Sequence, residues 1–129
     1  MLEKKEDSNN LQAVDILDSL DCAELSISNI ALFETNYEYA FASDLMSDAL
    51  VLIEDYGENT VFLTGLCNVQ SLRTAQMLDI DFIIYVRGKR LDDESIKIAK
   101  SMNLNIFTTN YNMFEASGIL WKKGIVAPK

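Results

Sequence analysis

The chain contains no histidine. Without imidazole it cannot build Ser-His-Asp or Cys-His nucleophilic chemistry. It also lacks the commonest ligand of catalytic zinc. Acid–base work at neutral pH would fall to a shifted carboxylate, a lysine, a cysteine or a tyrosine. Cysteine is scarce too. Cys22 and Cys67 are the only two, too few and too far apart for a zinc site or a disulfide framework. They read as reduced, mostly buried thiols, with a reactive Cys67 after a Gly turn as the alternative.

Long hydrophobic runs are missing as well. Runs such as Phe82-Ile83-Ile84-Tyr85-Val86 fall far short of the roughly 20 residues of a membrane span. The first residues, MLEKKEDSNN, are polar and charged with no apolar segment behind them, unlike a secretory signal. A cytoplasmic protein is therefore expected. No G-x-x-x-x-G-K-[ST] loop and no G-x-G-x-x-G occur, so Gly65 and Gly88 are isolated glycines and not nucleotide fingerprints. No metal site and no cofactor are expected, and no enzymatic activity.

What is present fits one domain. The chain has 129 residues, 49% hydrophobic and 24% charged, enough for an ordinary globular core. Its net charge of −9 is uneven. Residues 1–60 carry 14 acids against Lys4 and Lys5, or −12; residues 61–129 carry 6 acids against 9 bases, or +3. An acidic chain repels a phosphate backbone, so nucleic-acid binding is disfavoured. The basic residues of the second half suit a small anion.

Residues 1–9 read as a flexible lead-in, 10–124 as a single domain and 125–129 as a tail. Leu11, Val14, Ile16, Leu17 and Leu20 recur at helical spacing. Residues 24–28 alternate like a short strand, 29–36 are ambiguous, and Tyr37–Ala42 reads as a strand. Ser43 or Asp44 can cap a helix running to about Asp55, with Leu45, Ala49, Leu52 and Ile53 on its apolar face. Thr60–Thr64 is an apolar strand broken by Gly65, and Asn68 caps the helix that follows. Ile80–Val86 suits a strand buried on both faces. Asp92-Asp93-Glu94 opens a helix with acids at the positive end of its dipole. Leu104–Thr108 is a further strand. Asn110 caps a last helix bearing Phe114, Ile119, Leu120 and Trp121.

This alternation predicts an α/β fold with three layers, a mostly parallel sheet of about four to five strands flanked by helices. Ligands of such sheets sit at the C-terminal ends of the strands, near a switch in strand order. That rim carries Ser43 and Asp44, Thr64 and Gly65, Arg87-Gly88-Lys89, and Thr108. Hydroxyls, glycines and a basic loop before helix starts suit a phosphate or nucleotide. The same residue types also cap helices and make turns with no ligand present. Asp79 and Asp81 lie at the opposite end and read as solvated turn acids. Tyr37, Tyr39 and Phe41 alternate, so their rings are expected on one strand face, in the core or as a dimer or stacking surface.

Residues 39–50, YAFASDLMSDAL, resemble the "yaSDLLSDVla" segment of DRTGG-domain proteins. Residues 83–92, IIYVRGKRLD, are similar to that family's strand with a Gly-containing turn. Residues 105–109, NIFTT, and 113–120, MFEASGIL, are similar to its later strand and "afevaGrLy" helix. The likeness covers roughly residues 11–124. Asn36-Tyr37-Glu38-Tyr39-Ala40 stands about where the naming Asp-Arg-Thr-Gly-Gly motif falls. The resemblance implies a fold like the N-terminal domain of HPr kinase/phosphorylase, a module that also accompanies CBS domains in some pyrophosphatases and occurs in phosphotransacetylases. The HPr kinase catalytic domain has no counterpart here, so kinase activity is not implied. A regulatory role is, with an adenine nucleotide or other small anion as ligand. A homodimer is expected. The alternative is an interaction subunit docking on a metabolic enzyme through its acidic half or aromatic strand; a small enzyme is the third reading.

Overall fold

The computed structural model describes residues 11–52 and 57–128. Strand β1 (Leu11–Gln12) leads into helix α1 (Ala13–Ser19), then β2 (Ala23–Ser26) and a 3-10 turn at Ile30–Glu34. Next come β3 (Asn36–Tyr37), β4 (Tyr39–Ala42), α2 (Met46–Leu52) and a 3-10 turn at Gly57–Asn59. The chain continues as β5 (Thr60–Thr64), α3 (Val69–Met77), β6 (Phe82–Tyr85), α4 (Asp93–Ser101), β7 (Asn105–Thr108) and α5 (Met113–Lys122). The expected flexible lead-in, residues 1–9, lies outside the described residues.

The main sheet has five strands in the order β2-β7-β6-β5-β4. β4 to β7 pair in parallel, and β2 lies antiparallel on the β7 edge. The α/β fold with a mostly parallel sheet is thus present. Stepping one way from β4 to β7 through right-handed crossovers puts the three connecting helices on one face. Accordingly Met46 and Ala49 of α2, Leu72 and Ala75 of α3 and Ala99 of α4 pack with Phe62, Ile83 and Ile106. The last crossover runs the other way. After α5, Val126 forms a parallel bridge with Tyr39 beside β4. So α5 covers the opposite face, where Ala116 and Leu120 join Ile16 and Leu20 of α1 over Val61, Phe82 and Phe107.

Several expectations change. Residues 125–129 do not begin as a tail: Ile125 is buried, and Val126 exchanges backbone bonds with Glu38 and Ala40. The Tyr37–Ala42 strand is broken at Glu38, which sends Tyr37 and Phe41 into opposite core layers. The three rings therefore share no face. Leu45 precedes α2 and is exposed, whereas Met46 takes its place in the core. Ile53 lies outside the described residues. The last helix is capped by Asn112, whose Oδ1 accepts the Glu115 N–H at 2.8 Å, two residues after the expected Asn110. Asn68 caps α3 as its sequence implies, accepting the Ser71 N–H. Asp92 caps α4 through the Ser95 N–H at 2.8 Å, and that bond holds its carboxyl below the usual range.

Asp79 is exposed, as expected of a turn acid. Asp81 is not fully solvated: it lies half-buried under the Tyr37 hydroxyl, which donates to Oδ1 at 3.4 Å. Burial pushes its carboxyl above the ordinary value, outweighing the Tyr37 bond. A carboxyl raised in the folded state favours the protonated form. Its contribution is fully present below the unfolded pKa, about 3.9, and lost as pH rises through the folded value. At neutral pH the charge is therefore a burden. Asp81→Asn keeps an acceptor for Tyr37 and is expected to raise Tm at pH 7. The gain over wild type should shrink in melts toward pH 4. A variant that melts lower at pH 7 would contradict this account.

Candidate functional site

The strand C-termini end in short loops, and three of these converge on Gly65. From the β4–α2 loop, Asp44 Oδ1 accepts the Gly65 N–H at 2.6 Å and the Thr64 hydroxyl at 3.3 Å. From the β6–α4 loop, Lys89 Nζ donates to the Gly65 carbonyl at 2.8 Å. A Cβ added at Gly65 would lie 3.1 Å from Asp44 Oδ1 and 3.3 Å from Arg87 Nη2. A methyl there would require the carboxylate and guanidinium to move out by a few tenths of an ångström, so glycine lets them border this backbone closely. The Thr64 hydroxyl also accepts the Leu66 N–H at 3.1 Å, fixing the turn into α3.

The reversal of crossover direction after β7 sends the β6 and β7 loops to opposite faces. In an open sheet this opens a crevice. Here the two loops are bonded across it. The Arg87 N–H donates to Tyr111 O at 2.8 Å and the Gly88 N–H to Thr109 O at 2.7 Å. Arg87 and Gly88 both take positive φ, 59° and 67°, which curls the loop so that successive N–H groups point toward the β7 loop. For Arg87 that region is uncommon, and the pair of backbone bonds holds it there.

The structure therefore brings together five of the eight residues singled out from the sequence: Asp44, Thr64, Gly65, Arg87 and Lys89. Three do other work. Ser43 Oγ accepts the Leu45 N–H at 2.9 Å, a local turn before α2. Gly88 is spent on the loop-to-loop clamp, with Asn110 Oδ1 only 2.9 Å from where a Cβ would stand. Thr108 is buried and its hydroxyl donates to Tyr85 O at 3.3 Å, so it faces the sheet interior. Its rim neighbour Thr109 donates from Oγ1 to Leu20 O at 2.5 Å and ties this loop to the end of α1.

On the α5 side of the rim, a shallow cavity of about 300 Å³ is lined by Leu20, Asp21, Asn110, Tyr111 and Glu115. Two carboxylates make it a poor place for an anion. On the α3 side, Cys67 lies near Lys89 and Asp92. Burial pushes its thiol up to about 11, with Lys89 opposing and Asp92 adding to the shift. Burial and Asp21 push Cys22 up to about 12. Neither setting favours a thiolate, which argues against either cysteine as a nucleophile. Among the described residues, no group of three His, Cys, Asp or Glu is placed to hold a metal ion. No helix of the described residues is long and apolar enough to cross a membrane.

No family model matches the chain, and no curated protein matches it. A solved structure does. It holds the CBS and DRTGG domains of the regulatory region of Clostridium perfringens pyrophosphatase, complexed with the activator diadenosine tetraphosphate. The superposition has a TM-score of 0.70 at 17% identity and covers 97% of this chain and 53% of that one. The chain thus spans about half the length of the structure it matches. At this identity the likeness is one of fold, a CBS/DRTGG-like α/β arrangement, and it does not reach the narrower likeness to HPr kinase.

Proposed function

We propose that the chain is a non-catalytic regulatory module that binds a small anionic metabolite, an adenine nucleotide in particular, at the C-terminal rim of its sheet. The observation that carries this reading is the convergence of Arg87 and Lys89 on Gly65. Two cations, a backbone N–H and the Thr64 hydroxyl within one turn are the donor types that hold a phosphate. Asp44 now takes the Gly65 N–H, so an entering phosphate exchanges with that carboxylate while Arg87 and Lys89 neutralise its charge. The structurally similar pyrophosphatase region binds a dinucleotide, which favours adenine nucleotides among the anions. The absence of histidine and the raised thiols support a role without catalysis. A cytoplasmic homodimer belongs to the same reading.

A thermal-shift series with AMP, ADP, ATP and diadenosine tetraphosphate tests it. At least one is expected to raise Tm, and Arg87→Ala/Lys89→Ala is expected to abolish the rise. No shift with any of the four, or a shift unchanged in the double variant, removes the rim as a ligand site. The alternative, docking on a metabolic enzyme, keeps Tyr39 and Phe41 of the aromatic strand, both half-buried, but not Tyr37. Tyr37 of the aromatic strand is fully buried and cannot meet a partner.

A further inference from the structure

Helix α5 buries one side and leaves the other bare. Ala116 and Leu120 are in the core, whereas Phe114 is 88% exposed and Trp121 47% exposed. Phe114, Gly118 and Trp121 stand at i, i+4 and i+7, so they form one stripe along the outer face. Gly118 sits between the two rings, and a Cβ added there would meet nothing within 4 Å. A large aromatic left open beside a flat, side-chain-free patch is the pattern of an interface and not of a solvated helix face.

We infer that this stripe docks on the same stripe of a second copy of the chain, with the two α5 helices antiparallel across a two-fold axis. The stripe is self-complementary, as an isologous interface requires. The midpoint between Phe114 and Trp121 falls between Ser117 and Gly118. A two-fold axis there sets Phe114 of one copy against Trp121 of the other and lets the helices approach over Gly118. At the Trp121 end the surface is concave: Ala40, Ser117, Trp121 and Val126 border a groove of about 320 Å³. Phe114 of the second copy fills that groove, a knob at one end of the helix meeting a hole at the other. Charge agrees with this direction. Glu115 and Lys122, both exposed, flank the stripe near opposite ends, so antiparallel pairing brings each carboxylate toward the other copy's ammonium group. A parallel pairing would put the two copies' charged flanks on opposite sides of the interface and forgo that attraction.

This inference gives a geometry to the homodimer of the proposed reading, and it rests on α5 alone. Trp121 is the only tryptophan, so its fluorescence reports on this face directly. Sedimentation velocity of the full chain at rising concentration is expected to show a dimer, and dilution to monomer should shift Trp121 emission to longer wavelength. Gly118→Glu places a charge at the axis without touching the fold, and is expected to weaken dimerisation at least tenfold with an unchanged circular dichroism spectrum. Lys122→Glu is expected to weaken it too, and Glu115→Lys/Lys122→Glu to restore it, with circular dichroism checking that α5 survives the loss of the Glu115 carboxylate that accepts the Asn112 N–H. A wild-type chain that stays monomeric at high micromolar concentration overturns the inference. So does a folded Gly118→Glu variant that dimerises as wild type does. A nucleotide-induced thermal shift that persists in Gly118→Glu separates loss of this interface from loss of the rim site.

Discussion

Replacing Phe82 with alanine is expected to destabilise the protein by about 3–5 kcal/mol. Phe82 is fully buried at the start of β6, the central strand of the sheet, in the core layer between the sheet and helices α1 and α5. Its ring makes edge-to-face contacts with Tyr37 at 5.0 Å and 65° and with Phe107 at 5.5 Å and 73°. Each such pair adds about 0.5–1.5 kcal/mol beyond burial, so truncation loses both contacts and leaves a cavity walled by two rings. β6 lies between β5 and β7, so the backbone cannot relax inward without disturbing its parallel neighbours on both sides. A domain of this size has about 5–15 kcal/mol in hand, and the loss is a large share of it. At about 4 °C per kcal/mol, Tm should fall by roughly 12–20 °C. Phe82→Leu keeps most of the volume and should cost less than about 1.5 kcal/mol. Equal losses in the two variants, measured by urea denaturation, would show that the cavity is not the cause.

The parallel core was legible because its strands are short apolar runs that end in a glycine or hydroxyl residue before each helix. Thr60–Thr64, Phe82–Tyr85 and Asn105–Thr108 follow that pattern, and the rim residues are the ones just past those ends. The antiparallel seat of β2 beside β7 was not legible. Ala23 and Thr108 meet across most of the chain, and no local signal encodes such a pairing. Side-chain direction was the second weak point. Thr108 and Thr109 look alike in sequence, but one ends a strand and is turned inward while the other begins the loop that reaches Leu20. Helix α5 was ambiguous for a different reason. Its apolar residues form two overlapping stripes, and periodicity cannot say which one meets the sheet. The structure selects Ala116 and Leu120, which leaves Phe114 and Trp121 outside. The Asp44–Gly65 contact joins two loops and depends on the β4–β5 register. Sequence could place both residues on one rim but could not bring them into contact.

Gly57→Ala is expected to destabilise the protein by about 3 kcal/mol or more, at or beyond the upper end for overpacked sites. The residue opens the 3-10 turn before β5 and is buried. An added Cβ would stand only 1.8 Å from the carbonyl oxygen of Leu78, with Leu78 C and Asp79 C each at 2.9 Å. These are backbone atoms, so no rotamer change relieves the clash. That backbone is also held firmly. The Leu78 N–H donates to Thr74 O and Ala75 O, Asp79 to Gln76 O and Ile80 to Ala75 O. Asp79 already occupies a positive φ of 59° to turn the chain from α3 into β6, a conformation that leaves little freedom for a further shift. A methyl at position 57 must therefore push the end of α3 away from the entrance to β5, and both elements belong to the same core layer. Gly118 is the internal comparison. Its added methyl meets nothing, and in a helix interior alanine is favoured over glycine by about 1 kcal/mol. At concentrations where the chain is monomeric, so that the inferred α5 interface does not contribute, Gly118→Ala should therefore raise the denaturant midpoint while Gly57→Ala lowers it. A Gly57→Ala midpoint within error of wild type would mean that the α3 end and the β5 entrance are not held together through this glycine.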